Sequence, residues 1–139
     1  MSKKINVSIV IPSLNGENHL RDFLVKNLEI IKTTLKNKPI YENIEMIVAN
    51  DNSSDGTLEY LEECKKSYDF LIFGTNPKQG AGSARNFGVS ISNLKNYDKS
   101  YINYILNIDN DVLLDEPFFT NAIKYLETES FCITCNGVS

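Results

Sequence analysis

Asp109 and Asp111 stand two residues apart at the end of the apolar run Tyr104-Ile105-Leu106-Asn107-Ile108. Two carboxylates set side by side next to a buried strand repel each other, and burial raises the cost. A hard divalent cation with oxygen ligands removes that conflict. The pair therefore reads as ligands for Mg²⁺ or Mn²⁺, with substrate phosphates completing the shell. The competing reading is a solvated acidic loop that caps the next helix. Gly80, Gly82 and Arg85 form a second group. Glycines there permit positive φ or close backbone approach, and a helix start offers free N–H groups to phosphate. The spacing is not the dinucleotide fingerprint, because Arg85 stands where that motif has its third glycine. The plain alternative is a tight loop with a solvated arginine. Asp51, in Asn50-Asp51-Asn52-Ser53, is the third candidate. Its carboxylate can accept from a ribose hydroxyl or a base N–H, or simply close an Asx turn. A pyrophosphate calls for a metal, helix N–H groups and an arginine, and a nucleoside for a carboxylate and a polar loop. The three groups suit one substrate type.

These residues need elements that bring them together. The β-branched run Ile5 to Ile11, closed by Pro12, predicts a buried strand. From Glu17 to Leu35 the period is helical, with Leu20, Phe23, Leu24, Leu28, Ile31 and Leu35 on one face and Asn15-Gly16 as the start signal. Ile44 to Ala49 predicts a second strand, and Asp55 the cap of a helix that buries Leu58, Leu61 and Cys64. Phe70 to Phe73 follows as a third strand, then a helix from Ala81 to Leu94 with Ala84, Phe87, Ile91 and Leu94 inward. Tyr101 to Ile108 is the fourth strand. Pro117 opens a helix carrying Phe119, Ala122, Ile123 and Leu126, and Phe131 to Val138 is a last strand. Such βα alternation predicts a largely parallel sheet with helices on both faces. Ligands of these sheets bind beyond the carboxyl ends of the strands. Pro12-Ser13-Leu14, Asp51, the Gly80 segment and Asp109 to Asp111 then share one rim.

Composition narrows the partners. A net charge of −4 and no basic run argue against a nucleic-acid backbone. No apolar run approaches the roughly 20 residues of a membrane span. The apolar stretch after Lys3-Lys4 ends at Pro12, too early for a signal peptide. Three cysteines are an odd, scattered set, and Cys132 and Cys135, three apart on a strand, point to opposite faces. The expectation is a reduced, cytoplasmic protein, compatible with peripheral membrane attachment through other segments and with homodimerisation. His19, the only histidine, reads as a surface residue.

The segments VSIVIPSLNGENHL, IVANDNSSDGT, NPKQGAGSARNFGV and YILNIDNDVLLD resemble, in order and spacing, the successive motifs of family 2 glycosyltransferases. The resemblance implies a GT-A fold, a Rossmann-like three-layer αβα sandwich with a mostly parallel central sheet. It implies a nucleotide-sugar donor, with UDP favoured, a glycan or lipid-linked acceptor, and inverting transfer aided by Mn²⁺ or Mg²⁺. By that resemblance Pro12, Ser13 and Leu14 line the base and ribose pocket, with Glu17 near the same rim. Asp51 holds a base N–H, Gly80 and Arg85 serve the nucleotide, Asp109 meets the ribose or sugar, and Asp111 coordinates the metal.

Three departures accompany it. Leu14 stands where an aromatic often stacks on the base, and Asn50 where an acid is frequent. The family's general base lies in a segment later than Ser139, as does the acceptor-binding half. Residues 1–139 are thus expected to be the donor-binding part of a truncated domain, able to bind but not to turn over. Two rivals remain on sequence grounds. One is a haloacid-dehalogenase-like phosphotransferase with Asp109 as nucleophile, although three βα units precede the motif here. The other is a non-catalytic nucleotide-binding module.

Overall fold

The computed structural model describes residues 4–94, 100–126 and 133–135. Among the described residues five strands and four helices alternate: β1 (Ile5–Ser13), α1 (Glu17–Asn37), β2 (Tyr41–Asn50), α2 (Thr57–Lys65), β3 (Leu71–Thr75), α3 (Ala81–Ser90), β4 (Ile102–Ile108), α4 (Glu116–Leu126) and β5 (Ile133–Cys135). The sheet order is β3-β2-β1-β4-β5 and every pairing is parallel. The chain leaves β1 in one direction to build β2 and β3, then crosses back to lay β4 on the other side. That reversal opens a crevice between the carboxyl ends of β1 and β4, the topological switch point where such sheets take ligands.

The layers follow from strand alternation. Ile5, Val7, Ile9 and Ile11 of β1 join Ile44, Met46 and Val48 of β2 in a core against Leu20, Leu24, Leu28 and Ile31 of α1. Leu61 of α2 and Phe119 of α4 complete this side. Tyr41 donates its hydroxyl to Phe119 O at 2.6 Å, and the two rings meet edge to face at 5.6 Å. Burial pushes the Tyr41 phenol above its ordinary pKa. On the opposite face α3 lies close to the sheet because Gly88 has no side chain. A Cβ there would come within 2.7 Å of Val10 Cγ1.

Several boundaries differ from the sequence expectation. Pro12 does not stop β1, which runs on through Ser13. Odd residues of β1 bond toward β2, as in Ile5 N–H to Ile40 O and Asp51 N–H to Ser13 O. Pro12 therefore faces β4, whose pairing with β1 ends at Val10 and Asn107, so no ladder bond is lost. α3 ends at Ser90 rather than Leu94. The chain turns there because the buried carboxylate of Glu45 takes the Ser92 hydroxyl and the Asn93 N–H. In α2 the inward residues are Thr57, Tyr60, Leu61 and Cys64, while Leu58 is exposed. Of the expected final strand only residues 133–135 are described, and Cys132 lies outside the described residues.

Candidate functional site

Three loops meet at the switch point and are laced together by side-chain amides. After β1, Asn15 takes φ 49°, a left-handed conformation that asparagine tolerates. Its N–H donates to Ser53 Oγ at 2.9 Å, and its Oδ1 accepts from Ser54 N–H at 2.8 Å. Asn52, at φ 63°, donates Nδ2–H to Asn76 O at 3.0 Å. Asn50, buried, closes the turn by accepting from Ser53 N–H, three residues on, at 3.1 Å. The turn-closing role considered for Asp51 thus falls to its neighbour.

Asp51 is 7% exposed and its carboxylate faces the third loop. Oδ1 accepts from Asn76 Nδ2 at 3.1 Å and Oδ2 from Gly80 N–H at 3.0 Å. Each oxygen keeps a lone pair. Gly80 has φ 112° and ψ 146°, a region essentially reserved for glycine. This conformation aims the Gly80 N–H at Asp51 and starts α3 in the next residue. A Cβ on Gly82 would meet nothing within 4 Å, so no packing demands glycine there. Arg85 is exposed on the same helix, and among the described residues it makes no hydrogen bond or ion pair.

Beyond β4, Val112 N–H bonds Asp109 O at 3.2 Å and folds the Asp109-Asn110-Asp111 segment into a turn. Asn110 Nδ2 donates to Ser13 Oγ at 3.1 Å, tying this turn to the end of β1. Gly16 makes room for that bond, since a Cβ would collide with both the Asn110 carboxamide and Ser13 Oγ. On its far side the segment is clamped by Asn27 of α1. Its Nδ2 donates to Val112 O at 2.9 Å and its Oδ1 accepts from Leu114 N–H at 2.7 Å. Asn27 thus supplies the partner that this extended piece lacks.

The result is an open cleft of about 640 Å³ lined by Pro12, Ser13, Leu14, Asp51, Asn52, Gln79, Gly80, Ala81, Arg85 and Asp109. Seven of these were expected from sequence; Asn52, Gln79 and Ala81 were not, although they adjoin expected residues in the same loops. Leu14 projects into it, 59% exposed. Two expected residues stand elsewhere. Asp111 is exposed and lies outside the cleft lining, one residue beyond Asn110. Glu17 also lies outside the lining, because its carboxylate is drawn to Gly56 N–H at 2.8 Å and Arg21 Nε at 2.9 Å. His19 is exposed, as expected.

Among the described residues no three or more His, Cys, Asp or Glu side chains gather where they could hold a metal. Asp109 and Asp111 offer two hard carboxylate oxygens on one turn. That donor set fits Mg²⁺ or Mn²⁺ only when phosphate and water complete the shell.

The family model for glycosyl transferase family 2 matches residues 8–138. The chain belongs to that family. An uncharacterized glycosyltransferase of Rickettsia typhi is 32% identical over 86% of this chain and 30% of its own length. The poly-β-1,6-N-acetyl-D-glucosamine synthase of Staphylococcus aureus is 32% identical over 66% of this chain and 21% of the synthase. This family 2 chain therefore spans about a third or less of the curated relatives it matches. The crystal structure of S. aureus TarS 1–349 in complex with UDP superposes with a TM-score of 0.63 at 19% identity, over 89% of this chain and 32% of TarS. The fold is accordingly the GT-A type. Family membership sets aside the phosphotransferase reading of Asp109. Among the described residues no helix is long and apolar enough to cross a membrane.

Proposed function

We propose that residues 1–139 form the donor-binding part of a glycosyltransferase. It moves a sugar from a nucleoside diphosphate, UDP favoured, to a hydroxyl of a glycan or lipid-linked acceptor, with inversion. One observation carries the reading. Asp51, Arg85, Asp109 and the Gly80 opening of α3 share a single cleft at the switch point of a family 2 fold. A relative named for making poly-β-1,6-N-acetyl-D-glucosamine and a structural neighbour crystallised with UDP support a UDP-sugar.

In this reading Asp51 uses its remaining lone pairs on a base N–H, and Pro12, Ser13 and Leu14 flank the nucleoside. Leu14 gives the base an aliphatic wall rather than a ring. Asp109 accepts from a ribose or sugar hydroxyl. Arg85 and the first N–H groups of α3 take the diphosphate, whose charge the helix start favours. A divalent cation held by Asp111 and Asp109 would supply Lewis-acid neutralisation of the departing diphosphate. The acceptor oxygen bonds to the anomeric carbon on the face opposite the diphosphate. The carbon–oxygen bond to the β-phosphate breaks and its electron pair leaves on the nucleotide. The acceptor's proton passes to a carboxylate base, which we place outside these 139 residues, with the acceptor site.

Calorimetry of UDP, GDP, TDP and CMP against the chain, with Mn²⁺ or with chelator, tests this. The expected result is tightest binding of UDP, dependent on metal and weakened by Asp111→Ala. Binding unaffected by chelator sinks the metal assignment, and failure of all four nucleotides to bind sinks the cleft.

A further inference from the structure

Asn76 lies one residue past β3 and is 1% exposed. Its backbone N–H donates to Asn50 O at 2.7 Å. Both ends of its carboxamide are engaged. Nδ2 donates to Asp51 Oδ1 at 3.1 Å and to Ser83 Oγ at 2.9 Å, while Oδ1 accepts from Lys78 N–H at 3.2 Å. Its carbonyl receives Asn52 Nδ2–H at 3.0 Å. One buried side chain thus joins three parts of the cleft: the end of β2, the turn into Gly80 and the first turn of α3. Ser83 precedes Arg85 by two residues, so the same amide that orients the Asp51 carboxylate also sets where the arginine's helix begins. Asn76 does not line the cleft itself.

Resting on the donor-cleft reading above, we propose that Asn76 is a positioning residue for the nucleotide, holding Asp51 and Arg85 at the separation that lets both grip one donor. The chemistry of an amide is required. An aspartate has the same shape but donates no hydrogen when ionised, and it would set a second carboxylate against Asp51. An aliphatic residue would leave an Asp51 oxygen and the Lys78 N–H unpaired.

The test is Asn76→Asp in the 139-residue chain, with UDP binding measured by calorimetry from pH 7.5 to 5.5 beside the wild type. The charged groups on the elements packed around position 76 are Asp51 after β2, Lys78 in its own loop and Arg85 on α3. At pH 7.5 the variant is expected to bind UDP at least about tenfold more weakly. The wild-type-to-variant ratio should shrink as the pH falls, because a proton shared between the two carboxyls restores the lost hydrogen bond. A merely structural lesion would weaken binding equally at every pH. Equal affinity at pH 7.5, or a loss with no pH dependence while the wild type binds, overturns the proposal alone. A wild type that binds no UDP removes the cleft reading and this inference with it. If Asn76→Asp does not fold, Ser83→Ala decides. It removes the hydroxyl that accepts from Asn76, together with that hydroxyl's bonds to Gln79 O and Gly80 O, and should weaken UDP severalfold with little change in melting temperature, and unchanged affinity overturns the proposal.

Discussion

Glu17 and Asp55 cap each other's helices. The Glu17 N–H at the start of α1 donates to Asp55 Oδ2 at 3.2 Å, and Gly56 N–H at the start of α2 donates to Glu17 Oε1 at 2.8 Å. Asp55 also accepts from Thr57 N–H at 3.0 Å and from the Thr57 hydroxyl. Two helix N-termini, each with orphan donors and a partial positive charge, are thereby satisfied by two carboxylates 38 residues apart in sequence. Asp55→Ala should cost about 1 kcal/mol in urea unfolding, the ordinary worth of such a cap, while Asp55→Asn, with one acceptor oxygen where Asp55 uses two, should keep only part of it. A loss indistinguishable from zero would show that the reciprocal cap does not hold in solution.

The same contacts give a pH signature. Partial burial alone would raise the Asp55 pKa, but bonds from the Thr57 hydroxyl and from the Glu17 and Thr57 N–H groups outweigh it and hold it below the usual 3.8. A carboxyl depressed on folding contributes stability that is fully present above its unfolded pKa and is lost as the pH falls through the folded value. Asp55→Asn, neutral at every pH, should therefore lack this contribution at pH 7, and its difference from the wild type should close as the pH falls below 3.8. Carboxyl chemical shifts in the native protein should place the Asp55 midpoint under that value, and a midpoint above it would contradict the geometry.

Asn27 yields the largest predicted loss of stability. It is 1% exposed, and Val112 and Leu114 beside its two hydrogen bonds are as deeply buried. Asn27→Ala leaves a carbonyl and an N–H without partners away from water, at about 1–3 kcal/mol each. A cost of roughly 2–4 kcal/mol is expected. Hydrogen exchange should show the loss concentrated at Leu114 and at the Asp109 to Asp111 turn. Uniform deprotection across the sheet would instead mark a global effect.

Asn27 also shows where sequence reading ends. Asp51, the Gly80 segment, Arg85 and Asp109 were legible because parallel βα topology sends every strand's carboxyl end to one edge, whatever the packing details. Glu17 looked equally close to that edge, but a backbone N–H 39 residues away captured its carboxylate. Nothing local announces such a partner. The same holds for Asn27, which binds a segment 85 residues on, and for Asn76, whose amide reads Asp51 across 25 residues. Pro12 misled for a related reason: whether a proline breaks a strand depends on where the neighbouring ladder stops. Leu58 was expected inward in α2, but Tyr60 takes the buried place, its ring 4.5 Å from the Arg21 guanidinium of α1.

The two glycines that open α3 should respond in opposite senses. Gly80 at φ 112° becomes strained with any side chain, so Gly80→Ala should destabilise by about 1–3 kcal/mol and weaken the hold on Asp51. Gly82 is helical with open space around it, so Gly82→Ala should be neutral or stabilising by up to about 1 kcal/mol. In the proposed reading the diphosphate lies against this helix start, so the added methyl should crowd it and UDP affinity should nonetheless fall. A Gly82→Ala variant that gains stability and keeps full affinity would place the diphosphate away from this turn.

Arg85 separates binding from folding most cleanly. It is exposed and engages no described partner, so Arg85→Ala should shift stability by no more than about 0.5 kcal/mol. In the proposed cleft it is the one basic side chain among the described lining residues, set on the helix whose N-terminus takes the diphosphate. Removing it should weaken UDP about tenfold, equivalent to about 1.4 kcal/mol, and make the remaining affinity less sensitive to salt. Arg85→Lys should recover part of the loss, since it restores charge without the planar fork that pairs with two phosphate oxygens. Uridine, which lacks phosphate, should bind all three forms alike. Equal UDP affinity in Arg85→Ala and wild type would move the diphosphate off α3 and leave Asp51 and Asp109 as nucleoside contacts only.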